Sequence, residues 1–325
     1  MFFPFTLNGD VSESRAVTEP AGKAEGQSLR FYWRRIQRHP AFVQAKEPVT
    51  VARRSIPAVW RLATQRFRAL PSVVIVGAQK AGTTQLYASM VKHPQVLGGW
   101  KKEVSYFSKH LHRSVEWYRS QFPLERRVAR QNGVVIEASP SYLPTPSALR
   151  GMQSVIPDAR AIVLLRDPVA RAFSHYQHYK TRHLDSRSFE QAVEEELRQN
   201  AFPPECGVAL RQDAARMWGY VSRGYYALQI ELLLQLYSRD RVLVIDSSDL
   251  FRSTGVLCKR VFSFLELEEF DVRSNKVYNR GYYKERIEPR TAERLREHYR
   301  SYDKLLQQIL GRKFSWMSDY AALEA

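Results

Sequence analysis

Four short runs dominated by β-branched and aliphatic residues punctuate the chain: Val73 to Val76, Val134 to Glu137, Ala161 to Leu165 and Val242 to Ile245. Each is too short for a stable helix and lacks the strict polar alternation of a half-exposed strand. Each therefore reads as a strand covered on both faces in a parallel sheet. Between the runs, apolar residues recur at helical spacing. Leu86, Met90 and Val91 follow the first run, Leu228 and Leu232 precede the fourth together with Glu231 and Gln235, and Val256, Leu257, Val261, Phe264 and Leu265 fall within Ser253 to Leu267. Strand alternating with helix predicts an α/β fold of three layers, a central parallel sheet flanked by helices. The stretch from His183 to about Gln212 is polar and reads as loop, broken at Phe202-Pro203-Pro204, and such an insertion suits the shaping of a binding pocket. Ahead of the first run, Ser55 and Pro57 open a helical pattern in which Ile56, Val59, Trp60, Ala63, Phe67 and Leu70 share a face, with Arg61, Arg66 and Arg68 elsewhere. That face is expected to pack on the main domain, the commoner use of a short amphipathic helix; a membrane surface is the other use.

The first strand carries the densest chemical signal. Gly77 ends it, the small and polar stretch Ala78-Gln79-Lys80-Ala81-Gly82 follows, and Thr83-Thr84 leads into the first helix. A strand, a tight loop and a helix N-terminus together aim unpaired backbone N–H groups and the positive end of a helix dipole at one point, which suits phosphate or sulfate. Gly77 and Gly82 keep the GxxxxG spacing of a Walker A loop, but Thr83 stands where that motif has its lysine, and Lys80 lies inside the loop. The predicted fold is thus P-loop-like without the kinase lysine.

Composition narrows the rest. The chain has 325 residues and a formal net charge of +17, which points to anionic ligands or surfaces without choosing among them. Residues 1–70 hold twelve Lys or Arg against five Asp or Glu, and the first 28 or so lack periodicity. The expected division is a basic N-terminal extension over 1–70, partly disordered, and a catalytic domain over 71–325. Two cysteines, Cys206 and Cys258, are too few for a disulfide scaffold, MFFPFTLNGD makes a poor signal peptide, and a cytoplasmic protein is expected.

The pattern Lys80-x-Gly82-Thr83 after a buried strand resembles the 5′-phosphosulfate loop of sulfotransferases that use 3′-phosphoadenosine 5′-phosphosulfate (PAPS). Further segments follow in the same order. Glu103 stands before Tyr106-Phe107, with Trp117-Tyr118 and Phe122-Pro123 beyond, and Glu137-Ala138-Ser139-Pro140-Ser141-Tyr142 comes next. Arg166-Asp167-Pro168 then closes a strand ahead of Ser174, and Arg280-Gly281 stands late in the chain. Together, over roughly residues 71 to 316, they are similar to the heparan sulfate N- and 3-O-sulfotransferases, in a bacterial, soluble form. The resemblance implies PAPS as donor, held by Lys80 and the loop residues Ala81, Gly82, Thr83, Thr84 and Gln85. It implies Arg166 and Ser174 on the 3′-phosphate, Arg280-Gly281 closing over the nucleotide, and Glu103 as catalytic base with Lys80 stabilising the leaving group. The chain departs from that family in having Arg280 where lysine is usual and no Cys between Asp271 and Arg290.

The function expected is transfer of a sulfuryl group to a hydroxyl or amine of an acceptor, a carbohydrate or another small or lipid-linked metabolite, without a metal. His110 and His112 are the competing bases, and Tyr225 and Tyr226 either stack on adenine or pack in the core, the commoner use. No nucleic-acid partner is expected, and the basic N-terminal region is the place for any peripheral membrane contact. A nucleotide-dependent kinase and a non-catalytic basic anion-binding module are the alternatives. The first lacks its lysine, and the second leaves the ordered loop, Glu103 and Arg166 without a role.

Overall fold

The computed structural model describes residues 58–199, 219–272 and 285–318. The chain divides into two compact units, Met1–Trp60 and Arg61–Ala325. The five strands of the described residues belong to the second: β1 (Val73–Gly77), β2 (Val96–Gly98), β3 (Val134–Ala138), β4 (Arg160–Leu165) and β5 (Val242–Asp246). They form one sheet in the order β2-β3-β1-β4-β5, and every pairing is parallel. The four strand runs seen in the sequence are strands here. β2 is the addition; at three residues, Val96–Gly98, it is too short to show a period.

Helices connect and flank the strands. β1 runs through its loop into α1 (Thr83–Met90), and the crossover from β2 carries α2 (Tyr106–Lys109), α3 (Val115–Arg119) and α4 (Glu125–Arg130). Next come α5 (Pro146–Val155) before β4, and α6 (Pro168–Lys180) and α7 (Phe189–Gln199) after it. The chain then forms α8 (Tyr226–Leu236), α9 (Ser247–Arg252), α10 (Thr254–Phe264) and α11 (Pro289–Leu310). Asp167 caps α6 through its side chain, which accepts from the Val169 N–H at 3.0 Å, and Pro168 takes the first helical turn.

Two apolar cores result. The larger joins the sheet to Leu86, Leu149, Ile230, Val261 and Leu306. The smaller is aromatic and packs α6, α7 and the first half of α11 around Tyr176, Tyr220 and Tyr299. Tyr225 and Tyr226 are divided between the two: Tyr225 is in the smaller core and stacks on Tyr302 at 4.4 Å, while Tyr226 is in the larger, its hydroxyl donating to the Arg166 carbonyl at 2.9 Å.

Three expectations are corrected. The polar stretch after His183 is not all loop, because Phe189, Ala192 and Val193 form the buried stripe of α7; three apolar positions on one face sufficed among many charges. Val256 is exposed on α10, outside its apolar stripe. The helical pattern before β1 is turned round: residues 58–63 are helical and Gln65–Phe67 a 3-10 turn, but Phe67 is 61% exposed while Arg68 is 1% exposed. The switch to 3-10 geometry breaks the 3.6-residue period on which the single-face reading depended, and Arg68 goes inward because the Phe122 carbonyl accepts from it at 2.8 Å.

β1 ends against a wall. A Cβ added at Gly77 would lie 2.5 Å from Leu143 Cβ and 2.6 Å from its Cδ2, whereas one added at Gly255 would meet nothing nearer than the Val272 carbonyl at 3.6 Å. Gly77→Ala is expected to destabilise the fold by about 1–3 kcal/mol through overpacking. Gly255→Ala is expected to be neutral or slightly stabilising, since it reduces the freedom of the unfolded chain. Denaturant midpoints of the two variants, read side by side, check this.

Candidate functional site

The site forms at the C-terminal end of β1, where the chain first turns to one side for β2 and β3 and later to the other for β4 and β5. Such a switch point leaves a crevice beyond the strand ends. Within the loop, the Ala78 N–H donates to Leu164 O at 2.7 Å and the Ala81 N–H to Ala78 O at 3.2 Å. Lys80 takes a left-handed backbone (φ 72°), and its carbonyl accepts from Arg166 Nη1 at 3.1 Å. Gly82 is left-handed as well (φ 96°), and a side chain there would sit 2.9 Å from Leu250 Cδ2, so conformation and space both call for glycine.

The N–H groups of Gln85 and Leu86 return to Gly82 O at 3.0 and 3.1 Å. Among the described residues, no backbone carbonyl accepts from the N–H groups of Gly82, Thr83 or Thr84. These three therefore form the open donor set at the α1 N-terminus. Gln85 is placed otherwise than the sequence implied: its N–H is used inside the helix, and its side chain donates to Thr254 Oγ1 at 3.0 Å.

Cations converge on this loop. The Lys80 ammonium is half-buried, and its pKa is held below the ordinary lysine value by burial first, then by Arg182 and Arg166. His178 is pushed down to about 4 by burial and by Lys80 and Arg182, and its Nδ1 lies 2.8 Å from Arg182 Nη1. Arg223, buried, donates to Gln79 Oε1 at 2.8 Å and so ties the loop to the chain ahead of α8. Ser174 is buried on α6, two turns beyond the Asp167 cap. Arg280 and Gly281 lie outside the described residues.

The acidic side of the site is smaller. Lys102 Nζ contacts both Thr84 Oγ1 at 3.2 Å and Glu103 Oε1 at 3.3 Å, which links the candidate base to the first turn of α1. Glu103 is 39% exposed and open to an incoming group. His110 stands away from this link, against Trp117 at 5.4 Å between ring centres, with His112 beside it.

Beneath Glu103 lies Glu137, which is fully buried. One oxygen accepts from Ser139 Oγ and Tyr142 Oη, each at 2.7 Å, and the other from Tyr118 Oη. Burial raises its pKa above the usual carboxylate value even though those three bonds pull the other way. Arg182 and Arg223 were not singled out from the sequence: they carry no local signal and reach the loop only through the packing of α6 and α8.

Comparisons with known proteins give the family and the fold. A family model described as "Sulfotransferase domain" matches residues 70–307. The chain is 30% identical over 202 residues to the human bifunctional heparan sulfate N-deacetylase/N-sulfotransferase 3, covering 60% of this chain and 22% of that protein. It is 26% identical over 274 residues to mouse heparan sulfate glucosamine 3-O-sulfotransferase 3B1, covering 76% of this chain and 65% of that one. The chain thus spans about a fifth of the first relative and under two thirds of the second. Among solved structures, a sulfotransferase from Alicyclobacillus acidocaldarius superposes with a TM-score of 0.60 at 26% identity, covering 77% of this chain and 99% of that one.

The buried Glu137 has a measurable consequence. Because its folded pKa is raised by burial, the native state holds the proton more tightly than the unfolded chain. The stability it contributes is then fullest below the unfolded carboxylate value and lost as pH rises through the folded one. Glu137→Gln removes this dependence, so the stability advantage of the wild type over the variant should shrink from mildly acid to neutral pH. Urea midpoints of both proteins across that range check the sign.

Proposed function

Because the chain belongs to the sulfotransferase domain family, we propose that it moves a sulfuryl group from PAPS to a hydroxyl or amine of a glycan acceptor. The observation that carries this reading is the convergence of Lys80, Arg166 and the open N–H groups of Gly82 to Thr84 on one loop. The donor set fits a polyanion. Lys80 is destabilised by burial and by like charges, and an anion placed there would reverse both effects.

When bound, PAPS supplies the sulfuryl group and a phosphate leaving group. The chain's residues supply the rest. Lys80 and the Gly82–Thr84 N–H groups hold and neutralise the leaving side, the part a metal ion takes in many kinases. Arg166 and Ser174 take the 3′-phosphate, a guanidinium fork beside a hydroxyl. Glu103 accepts the acceptor's proton, with Lys102 fixing the carboxylate against α1 until then. Arg280-Gly281 closes over the nucleotide. A glycan acceptor follows from the names of the relatives, which span N- and O-sulfation alike.

Adenosine 3′,5′-bisphosphate should raise the melting temperature, and a ligand at a hundred times its Kd adds about 2.7 kcal/mol. Its binding should also weaken with alkaline pH, since the free protein holds Lys80 below the ordinary lysine value and the ligand needs the charged form. Calorimetry at neutral and alkaline pH, repeated on Lys80→Arg, checks this: the variant should lose most of the slope. No thermal response in the folded wild type would overturn the donor assignment.

The base is tested separately. Glu103→Gln should leave bisphosphate affinity near wild type and lower the rate by about 10² to 10⁴. The acid limb of the rate profile should go with it. A variant that keeps both the limb and most of the rate moves the base elsewhere, first to His110 or His112.

A further inference from the structure

The segment ahead of β1 is built inside out. Arg61 Nη2 and Arg68 Nη1 both donate to the Phe122 carbonyl, at 3.1 and 2.8 Å. Burial, and next the charge of Arg68, push Arg61 down to about 10. Two guanidinium groups turned inward on one acceptor leave the neighbouring apolar side chains facing out: Leu62 is 43% exposed and Phe67 61%. The same strip holds Trp100, 48% exposed, whose backbone N–H donates to Gln121 O at 2.8 Å and whose ring centre lies 5.2 Å from the Arg61 guanidinium carbon. Ala69 N–H to Pro123 O at 3.0 Å and the Arg68–Leu124 bridge continue the strip into α4.

The segments that carry these three side chains, and α4 next to them, are rich in exposed cations. Arg66, Lys101, Arg126, Arg127 and Arg130 are all exposed. The acidic groups on the same segments are Glu103, Glu116 and Glu125; Glu103 is paired with Lys102 at 3.3 Å and Glu125 with Arg119 at 3.2 Å. Exposed aromatic and aliphatic side chains amid an excess of Lys and Arg match the polar, anionic boundary of a bilayer, where tryptophan settles and basic residues meet acidic headgroups. A protein partner would have to bring the same two features, apolar depth and a surplus of acid, to one strip.

We propose that Leu62, Phe67 and Trp100, with the exposed cations of these segments, form a surface that docks on an anionic lipid bilayer. The contact is interfacial, with apolar side chains at the headgroup level and no spanning segment; among the described residues no helix is long and apolar enough to cross a membrane.

Flotation of the full chain with phosphatidylcholine vesicles, with and without phosphatidylglycerol, tests it. The wild type should float with the anionic vesicles and not with the neutral ones, and added salt should weaken the association. The double variant Phe67→Ser, Trp100→Ser should lose at least about tenfold in partitioning, while its melting temperature and its response to adenosine 3′,5′-bisphosphate stay at wild-type values. Both substitutions are at exposed positions, and the nucleotide response reports folding independently of lipid. Four results would overturn the proposal: no binding to anionic vesicles, equal binding to neutral ones, undiminished binding by the double variant, or a concentration-dependent dimer that the variant abolishes. The third assigns any lipid contact to other basic segments, and the last gives the strip to a second copy of the chain.

Discussion

The site depends on a strand that has nowhere to move. Every residue of β1 is buried, and β3 and β4 pair with it on either side. A slip by one residue would swap the two faces, putting Val73 and Ile75 into the packing built for Val74 and Val76. Leu143 closes the space beside Gly77, so the loop leaves the sheet from a fixed point. Lys80 then takes a left-handed backbone, which costs roughly 1–2 kcal/mol for a residue with a Cβ. The hydrogen bond from Arg166 to its carbonyl, charge-assisted and partly sheltered, is worth about 1.5–3 kcal/mol. The two effects are of the same size, so the bond from the end of β4 offsets the cost of the turned form of the loop.

That arrangement concentrates positive charge where burial makes it unfavourable. Lys80 and His178 are both shifted toward their neutral forms, first by desolvation and then by neighbouring cations. Surface charge is screened within about 8 to 10 Å at ordinary ionic strength, whereas partly buried groups are screened far less. The +17 net charge of the chain and the charge at the loop therefore act differently. The first is diffuse and sensitive to salt; the second is local and is relieved by an anion of matching shape. A generic basic binding module would need only the first.

Legibility in the sequence followed the range of the forces involved. The four strand runs and the helices after them could be read because burial on both faces leaves unbroken apolar stretches. The loop could be read because its glycines and hydroxyls are consecutive. The Arg223–Gln79 contact could not, since the two residues are far apart in the chain and meet only when α8 packs. β2 was too short to show a period, and α7 hid a three-residue stripe among charges. The segment from Arg61 to Phe67 misled because helical periodicity assigns faces only while the helix continues, and here it gives way to a 3-10 turn. Its burial was decided by one carbonyl, that of Phe122, and not by its own amphipathicity.

The two carboxylates of the site divide their work by environment. Both oxygens of Glu137 are engaged, by Tyr118 on one side and by Ser139 and Tyr142 on the other, and the group is buried, so it is not presented to an acceptor. Its partners reach further. Ser139 Oγ accepts from the Ser105 N–H at 2.9 Å, and Tyr142 Oη from the Phe107 N–H at 3.4 Å. These bonds brace the backbone just after Glu103, while Lys102 ties the segment to Thr84 from the other side. Glu103 is thus an exposed carboxylate on a chain segment fixed at both ends. A general base needs positioning before it needs a tuned pKa, and the buried glutamate helps supply that positioning without meeting the acceptor.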